Sequence, residues 1–423
     1  MDMIHFTNRF SFTISLLALA LVSASTNIEA GHRGGWGGGG SGGGGNSTTW
    51  TKLYGTSAAE FGSDVAIDSA GNVLSSGYGN GLGTVAKHNA SGTLLWLNQV
   101  GSGSEKFSGI ITDANDSVFV TGNRNSSVAG NNLGNTDIIV FNYDSSGNLL
   151  FSFQTGTSGR DRGASIALDS SGNIYICGDT TGNLGGQITN TNGDAYLAKY
   201  DVTGALIWAD QFGDAAGSGF DECHDVAVDA NDNVYVTGDF SNHDYFAAKY
   251  DYQGTQSWFQ RSNTPSAENA YGIAVDPNGN VFIGGNTGLT IDPNANPNTN
   301  LGSWDAFVIK FNNSGVLEWS RQFGSSNEDR AFAVAADANG NVYVTGIINR
   351  DITSLPASIF SAKFNSAGTQ QFLRQRSGNG VEGHGITVNS AGTDFYITGV
   401  AYGNFNGQTS NGIQDVLVTR NRP

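Results

Sequence analysis

Cysteine, proline, methionine and basic side chains are all scarce in this 423-residue chain, and the shortages narrow what it can be. Two cysteines, Cys177 and Cys223, rule out a disulfide-dense scaffold and supply no zinc-finger spacing. Twenty lysines and arginines against 37 aspartates and glutamates leave a net charge of −17. That balance argues against binding a nucleic-acid backbone and suits either a cationic partner or plain solubility. Past the N-terminal region no apolar run is long enough to cross a bilayer of about 30 Å, so no membrane span is expected in the mature chain. There is no G-x-x-x-x-G-K-[ST] phosphate cradle, no H-E-x-x-H and no G-x-S-x-G in a strand-turn-helix setting.

What is abundant is glycine, 61 residues of it. Eleven fall in GHRGGWGGGGSGGGG, residues 31–45, which cannot bury enough surface to offset its chain entropy and reads as a flexible tether over 31–48. Before it, Arg9 precedes an apolar run over 10–22, with small-residue cleavage options after Ala24 or Ala30. Residues 1–30 therefore read as a secretory signal peptide, and the product is expected to be secreted: extracellular, at the cell surface or periplasmic.

The remaining glycines punctuate a repeat. DANGNVYVTG at 337–346 has six counterparts: DSAGNVLSSG from Asp68, DANDSVFVTG from Asp113, DSSGNIYICG from Asp169, DANDNVYVTG from Asp229, DPNGNVFIGG from Asp276 and NSAGTDFYITG from Asn389. Successive copies lie 45 to 61 residues apart, the mark of an array of supersecondary units. Each unit reads as four short strands with turn residues at the junctions. In the first turn an Asp side chain can hold an Asx turn while Gly, or Asp116 and Asp232 in its place, adopts the left-handed conformation. An aromatic recurs on the fourth strand (Trp96, Phe151, Trp208, Trp258, Trp319 and Phe372), and recurrence favours packing between neighbouring sheets over a sugar platform. Lys87, Lys199, Lys249, Lys310 and Lys363 share a third-strand slot, where packed stems are expected rather than catalytic amines.

The ends of the array fix its closure. The last unit stops after its third strand at DVLVTRNRP, and TTWTKLYG near the start spaces Trp50 and Gly55 as Trp96 and Gly101 are spaced. An orphan fourth strand and a missing one complete each other. The expected fold is all-β: residues 49–423 form a seven-bladed β-propeller of four-stranded antiparallel blades, closed by the N-terminal strand. WSRQFGSSNEDRAFAVAADANGNVYVTG (319–346) and WADQFGDAAGSGFDECHDVAVDANDNVYVTG (208–238) resemble the SBBP β-propeller repeat family of secreted and cell-surface proteins. The resemblance implies a propeller and no catalytic residues.

Antiparallel order places the short, uniform turns on one face and the unequal loops on the other, so the loop-rich face is where binding residues are expected. Trp304, Tyr402 and Phe405, from the long loops, are the expected exposed aromatic contacts. Glu60, Glu105, Asp161, Asp221, Glu268 and Asp329 stand eight residues before the landmark Asp, with Glu382 one place off. As a ring at the channel mouth they could hold Ca²⁺, which takes six to eight oxygens. The competing expectation is that they satisfy backbone donors at blade junctions. A second set, Asp137, Asp194, Asp244, Asp305 and Asp415, opens the third strands. DANDN at 229–233 starts like an EF-hand loop but lacks its later Gly and Glu.

His224 and His384 share a slot five before the landmark, filled by Tyr271 in the fifth unit, and a His and carboxylate site is conceivable there. No third histidine ligand accompanies them. Cys177 and Cys223 fall on adjacent blades and could bond, although a plain small-residue role for Cys177 competes. The leading functional expectation is a non-enzymatic, monomeric binding scaffold that takes a protein or saccharide ligand on an acidic loop face. The alternatives are a lyase or hydrolase acting on a saccharide or small molecule at the channel mouth, and a structural surface or matrix protein.

Overall fold

The computed structural model describes residues 50–101, 104–125, 133–185, 192–214, 219–262, 264, 266–291, 301–350, 357–377 and 380–423. The signal peptide and tether expected over 1–48 lie outside the described residues. Twenty-eight strands form seven four-stranded antiparallel sheets, with no helix among the described residues. The blades span 60–100, 106–155, 161–212, 222–261, 268–323, 328–376 and 381–421, and strand Trp50–Tyr54 completes the seventh by pairing with Asp415–Asn421. Ring closure by the N-terminal strand is thus as the sequence predicts. The seven first strands are mutual neighbours around the centre, and each sheet runs outward from its first strand to its fourth.

The first turn of each blade works by local hydrogen bonding. Asp337 Oδ1 accepts the amides of Asn339 and Asn341 at 2.9 and 3.0 Å, its Oδ2 accepts Asn341 Nδ2 at 2.8 Å, and Gly340 takes φ +72°. The EF-hand-like DANDN closes in the same way around Asp229. Where Gly is absent, Asp116 and Asp232 adopt φ +61° and +62° and accept the amides of Ser69 and Ser170 in the preceding blade, both at 2.8 Å. A strained turn there doubles as an inter-blade clasp.

Outer-strand tryptophans connect blades in the same direction. The indoles of Trp50, Trp96, Trp208, Trp258 and Trp319 donate to carbonyls of Ala90, Ser145, Tyr252, Asn313 and Ser366 in the next blade at 2.9–3.3 Å. Their rings cover the second-turn glycines Gly92, Gly147, Gly254, Gly315 and Gly368, where no Cβ would fit. The slot lysines lie on the sheets, Lys87 and Lys199 each 2.9 Å from the landmark carboxylates Asp68 and Asp169. Cores of Val, Ile, Phe and Tyr fill the space between facing sheets.

A feature of every first strand governs the channel. The ladder with the second strand slips at 62/64, 107/109, 163/165, 223/225, 270/272, 331/333 and 383/385, so each blade carries a β-bulge at the same height. Opposite each bulge stands the last glycine of the repeat motif. A Cβ on Gly77, Gly122, Gly178, Gly238, Gly285, Gly346 or Gly399 would lie 1.8–2.0 Å from a first-strand carbonyl oxygen. The terminal Gly of VYVTG is therefore required by close backbone approach.

Candidate functional site

A bulge leaves one residue unpaired and re-aims its side chain. The seven extra residues, all half-buried, are Ser63, Ser108, Ala164, His224, Tyr271, Phe332 and His384. Blades 1–3 present small side chains; blades 4–7 present rings. The rings form one continuous arc, with centroids 5.4 Å apart from His224 to Tyr271, 5.5 Å from Tyr271 to Phe332 and 5.5 Å from Phe332 to His384. The two histidines named from sequence thus belong to one array but do not meet, because two aromatic rings stand between them. Phe332 occupies the same slot, five before Asp337, and the spacing that picked out His224 would have found it.

The arc is bordered by paired charges. His224 Nε2 lies 2.6 Å from Asp239 Oδ1 and 3.9 Å from Glu222. Burial alone would lower its pKa, but the hydrogen bond and field of Asp239, with Glu222 and Asp179, raise it. His384 Nε2 lies 3.0 Å from Glu382 Oε2, and its Nδ1 lies 3.0 Å from the Gly62 carbonyl of blade 1. Burial would raise the Glu382 carboxyl, but His384, Arg350 and Tyr402 together hold it below its ordinary value. Burial pushes the Tyr271 phenol up to about 12.

Beside the bulge two aspartates close the inner edges of neighbouring blades. Asp64 Oδ2 accepts the Ile110 amide of blade 2 at 3.0 Å, and Asp225 Oδ2 accepts the Ile273 amide of blade 5 at 2.8 Å while Ser165 donates to its Oδ1 at 2.6 Å. These edge amides have no strand partner on the channel side, so a side-chain acceptor satisfies them. Burial raises the carboxyls to about 7 for Asp64 and about 6 for Asp225. Sequence reasoning passed over both, because a lone Asp in an apolar strand carries no periodic signal.

Several expectations need correction. The carboxylates foreseen at the mouth form no acidic surface: Glu60, Glu105, Asp161, Asp221, Glu268 and Asp329 are at most 4% exposed. They stand at or beside the starts of the first strands and brace the preceding turns. Glu60, Asp161 and Asp329 accept the amides of Thr56, Thr157 and Ser325, and Asp221 accepts those of Asp214 and Ser241. Glu268 takes the Thr264 hydroxyl at 2.5 Å, and Glu105 pairs with Arg124 at 2.5 Å. The seventh member of that ring is Val381, since Val381 pairs with Ala401 as Asp161 pairs with Thr180; Glu382 is one residue on and faces His384 instead. Beside them Arg160 and Arg162 meet Asp179 at 2.6 and 2.7 Å, Arg162 also meets Glu222, and Arg330 meets Glu328 at 2.6 Å, so the charge there is mixed. Among the described residues, no three His, Cys, Asp or Glu side chains converge as a metal site.

The expected contact aromatics also divide. Phe405 is 4% exposed and packs in the last blade's core, because the Phe405–Gln408 turn folds its loop downward. Tyr402 is half-buried with its hydroxyl 3.4 Å from Glu382, and Trp304 is half-buried in a bridge to Glu328. Parts of the long loops, 186–191 and 292–300, lie outside the described residues. Cys177 and Cys223 form a disulfide across blades 3 and 4, with Cα atoms 5.6 Å apart. On the small-residue side, a cavity of about 320 Å³ opens among Ala59, Tyr78, Lys106 and Asn125, with the Lys106 amine 4.9 Å above the Tyr78 ring.

Comparison with known proteins agrees with this architecture. Residues 150–185, 207–246, 258–291 and 318–352 match the SBBP family, Beta-propeller repeat. Each match starts at or beside an outer strand and runs into the inner strands of the next blade. The Regulatory protein FlaEY of Caulobacter vibrioides is 24% identical over 207 residues, 41% of this chain and 21% of that protein. The Uncharacterized WD repeat-containing protein L264 of Acanthamoeba polyphaga mimivirus is 22% identical over 211 residues, 47% of this chain and 13% of that protein. The chain therefore matches about a fifth or less of the length of these relatives. The RRP9 WD40 repeats superpose with a TM-score of 0.54 at 9% identity, covering 87% of this chain and 96% of that one. That likeness is one of fold.

Proposed function

We propose that this seven-bladed protein of SBBP beta-propeller repeats is an exported, non-enzymatic scaffold that binds a partner protein at the channel mouth on its loop-rich face. The observation that carries it is the lopsided bulge ring. One half offers a ring arc bordered by paired charges, the other small side chains and a cavity. An amphipathic, half-exposed aromatic wall with a polar rim is the composition of an interface centre. The likeness to WD40 propellers and to a WD repeat-containing relative supports a scaffold role.

The test uses the secreted full chain and Tyr271→Ala/Phe332→Ala, with Ser63→Ala/Ser108→Ala as a control on the opposite half. Cross-linked partners from the source culture are identified, purified and titrated against each. The expected result is at least tenfold weaker binding for the arc variant and an unchanged constant for the control. A partner equally held by both would remove the proposal. The enzymatic alternative rests on the His224–Asp239 and His384–Glu382 pairs. Turnover of a polysaccharide or small-molecule panel that His224→Ala or His384→Ala abolishes would establish that alternative instead. A chain that engages no soluble partner and stays with the cell envelope would be a structural component.

A further inference from the structure

Blade 6 departs from the other blades at the end of its outer strand. Four residues after the outer-strand aromatic the chain places Val100, Thr155, Phe212, Ser262 and Phe323 in blades 1–5 and Tyr54 in the closing strand. In blades 3 and 5 that residue packs into the next blade: the Phe212 ring lies 5.2 Å from Phe246, and the Phe323 ring 5.5 Å from Phe360. In blade 6 the position, opposite Ile359, is Arg376. A guanidinium thus stands where two other blades insert a phenyl ring. Phe405 fills part of the space, and a small cleft remains between blades 6 and 7 with Arg374, Arg376, Ser361, Thr419 and Asn421 on its walls.

The cleft is rich in donors and has no carboxylate on its walls. Arg374 and Arg376 are alternate residues of one strand and so share a face. Among the described residues neither forms an ion pair, and Asp394, the carboxylate of the blade 7 hairpin, is held by Arg420 and Arg422 at 2.8 and 3.2 Å. Burial, with Arg374 adding to it, lowers the Arg376 pKa, yet an arginine stays charged. Two like charges therefore stand together without a counter-charge, in a chain whose net charge is −17.

The simpler reading is that both arginines clasp the next blade. It holds for Arg374, whose Nη1 donates to the Arg422 carbonyl and whose guanidinium lies 4.1 Å above the Phe372 ring. Arg321, at the same position of blade 5, likewise donates to the Gly368 carbonyl at 2.6 Å. Arg376 has no such role: its guanidinium is half-buried and donates no hydrogen bond among the described residues. Ser361 stands opposite Arg374 in the ladder, and the Asn421 amide adds a donor from blade 7, whereas the Thr419 hydroxyl is spent on the Trp50 carbonyl at 3.1 Å.

The cleft's volume is about 10 Å³, room for one water-sized group, so a ligand inserts an oxygen there and not a sugar ring. A carboxylate would neutralise one guanidinium and leave the other. A dianion matches both, and forked guanidinium donors suit phosphate-like oxygens.

We propose that Arg374 and Arg376, with Ser361 and Asn421, bind a doubly charged tetrahedral oxyanion, phosphate or sulfate, free or as a phosphate monoester, in the cleft between blades 6 and 7. The bound anion takes donors from both blades and so ties the closing blade to its neighbour. The site lies among third and fourth strands, outward of the ring arc, and stands independently of the partner reading.

The test is calorimetric titration of the full chain at pH 8 and constant ionic strength with inorganic phosphate, sulfate, glycerol 3-phosphate or acetate; a phosphate monoester is a dianion there. Saturable binding at a single site is expected for the dianions, with acetate weaker by about tenfold or more. Arg376→Phe restores the ring of blades 3 and 5; it should fold and bind phosphate about tenfold or more weakly, through loss of charge-assisted hydrogen bonds. Arg321→Gln, in blade 5, should keep the parent's affinity. Glycerol 3-phosphate held more tightly than phosphate would assign an esterified ligand, and the reverse order a free ion. Absence of saturable phosphate or sulfate binding in the parent overturns the proposal, as does acetate held as tightly as phosphate or an Arg376→Phe variant with the parent's affinity. Should Arg376→Phe not fold, Arg376→Gln decides between the same outcomes.

Discussion

Blades 1–3 and blades 4–7 share one backbone device and put it to different use. Each has the bulge and the facing glycine, yet the freed position carries Ser63, Ser108 and Ala164 on one side and His224, Tyr271, Phe332 and His384 on the other. The repeat therefore sets where a side chain enters the channel, while the individual blade sets which one. A chain whose repeats serve packing alone would have no reason to divide its ring in this manner.

The comparison can be broken most severely at the shared device. Gly346→Ala places a Cβ 1.9 Å from the Arg330 carbonyl and should cost on the order of 3 kcal/mol in denaturant melts, the upper end of overpacking. Gly71→Ala has φ +75° and open space, so it should cost only about 1 kcal/mol. Equal losses at the two sites would deny the bulge its requirement. Next comes the Cys177–Cys223 bond that joins blades 3 and 4 where the ring changes character. Cys177→Ala/Cys223→Ala should lose about 2–4 kcal/mol, read as a lower denaturation midpoint.

The channel aspartates sharpen the comparison through pH. Asp64 and Asp225 have carboxyls raised to about 7 and about 6, so their contribution is complete below the ordinary Asp range and is lost as pH rises through those values. Asp64→Asn should flatten the fall in melting temperature between pH 5 and 7, and an unchanged slope would contradict this. The smallest effect belongs to the pair Lys310–Glu318, whose Lys side chain is buried and whose Glu side chain is 40% exposed. Glu318→Ala should shift stability by no more than about 1 kcal/mol.

Much of the architecture was legible because it is repeated. Seven Asx turns, the tryptophan positions and the divided final blade each leave a periodic trace, and the strand pairing follows them. The bulges left a trace that could not be interpreted: the last Gly of VYVTG looks like an ordinary strand end until the carbonyl facing it is known. The carboxylate period was visible, but burial is not a property of spacing; counting eight back from Asn389 already reaches Val381, and the strand register agrees. Phe405 misled because a long loop need not present its aromatics outward. The arc itself was half seen, through His224, Tyr271 and His384, and Phe332 was passed over because its neighbours in sequence are apolar.

The most direct test of the central claim is hydrogen–deuterium exchange of the full chain with and without a bound partner. The account predicts added protection in first-strand peptides spanning 222–225, 269–273, 329–333 and 382–385, around the ring arc. Protection confined to the hairpins at 68–72, 169–173, 229–233 and 337–341, on the opposite face, would contradict it.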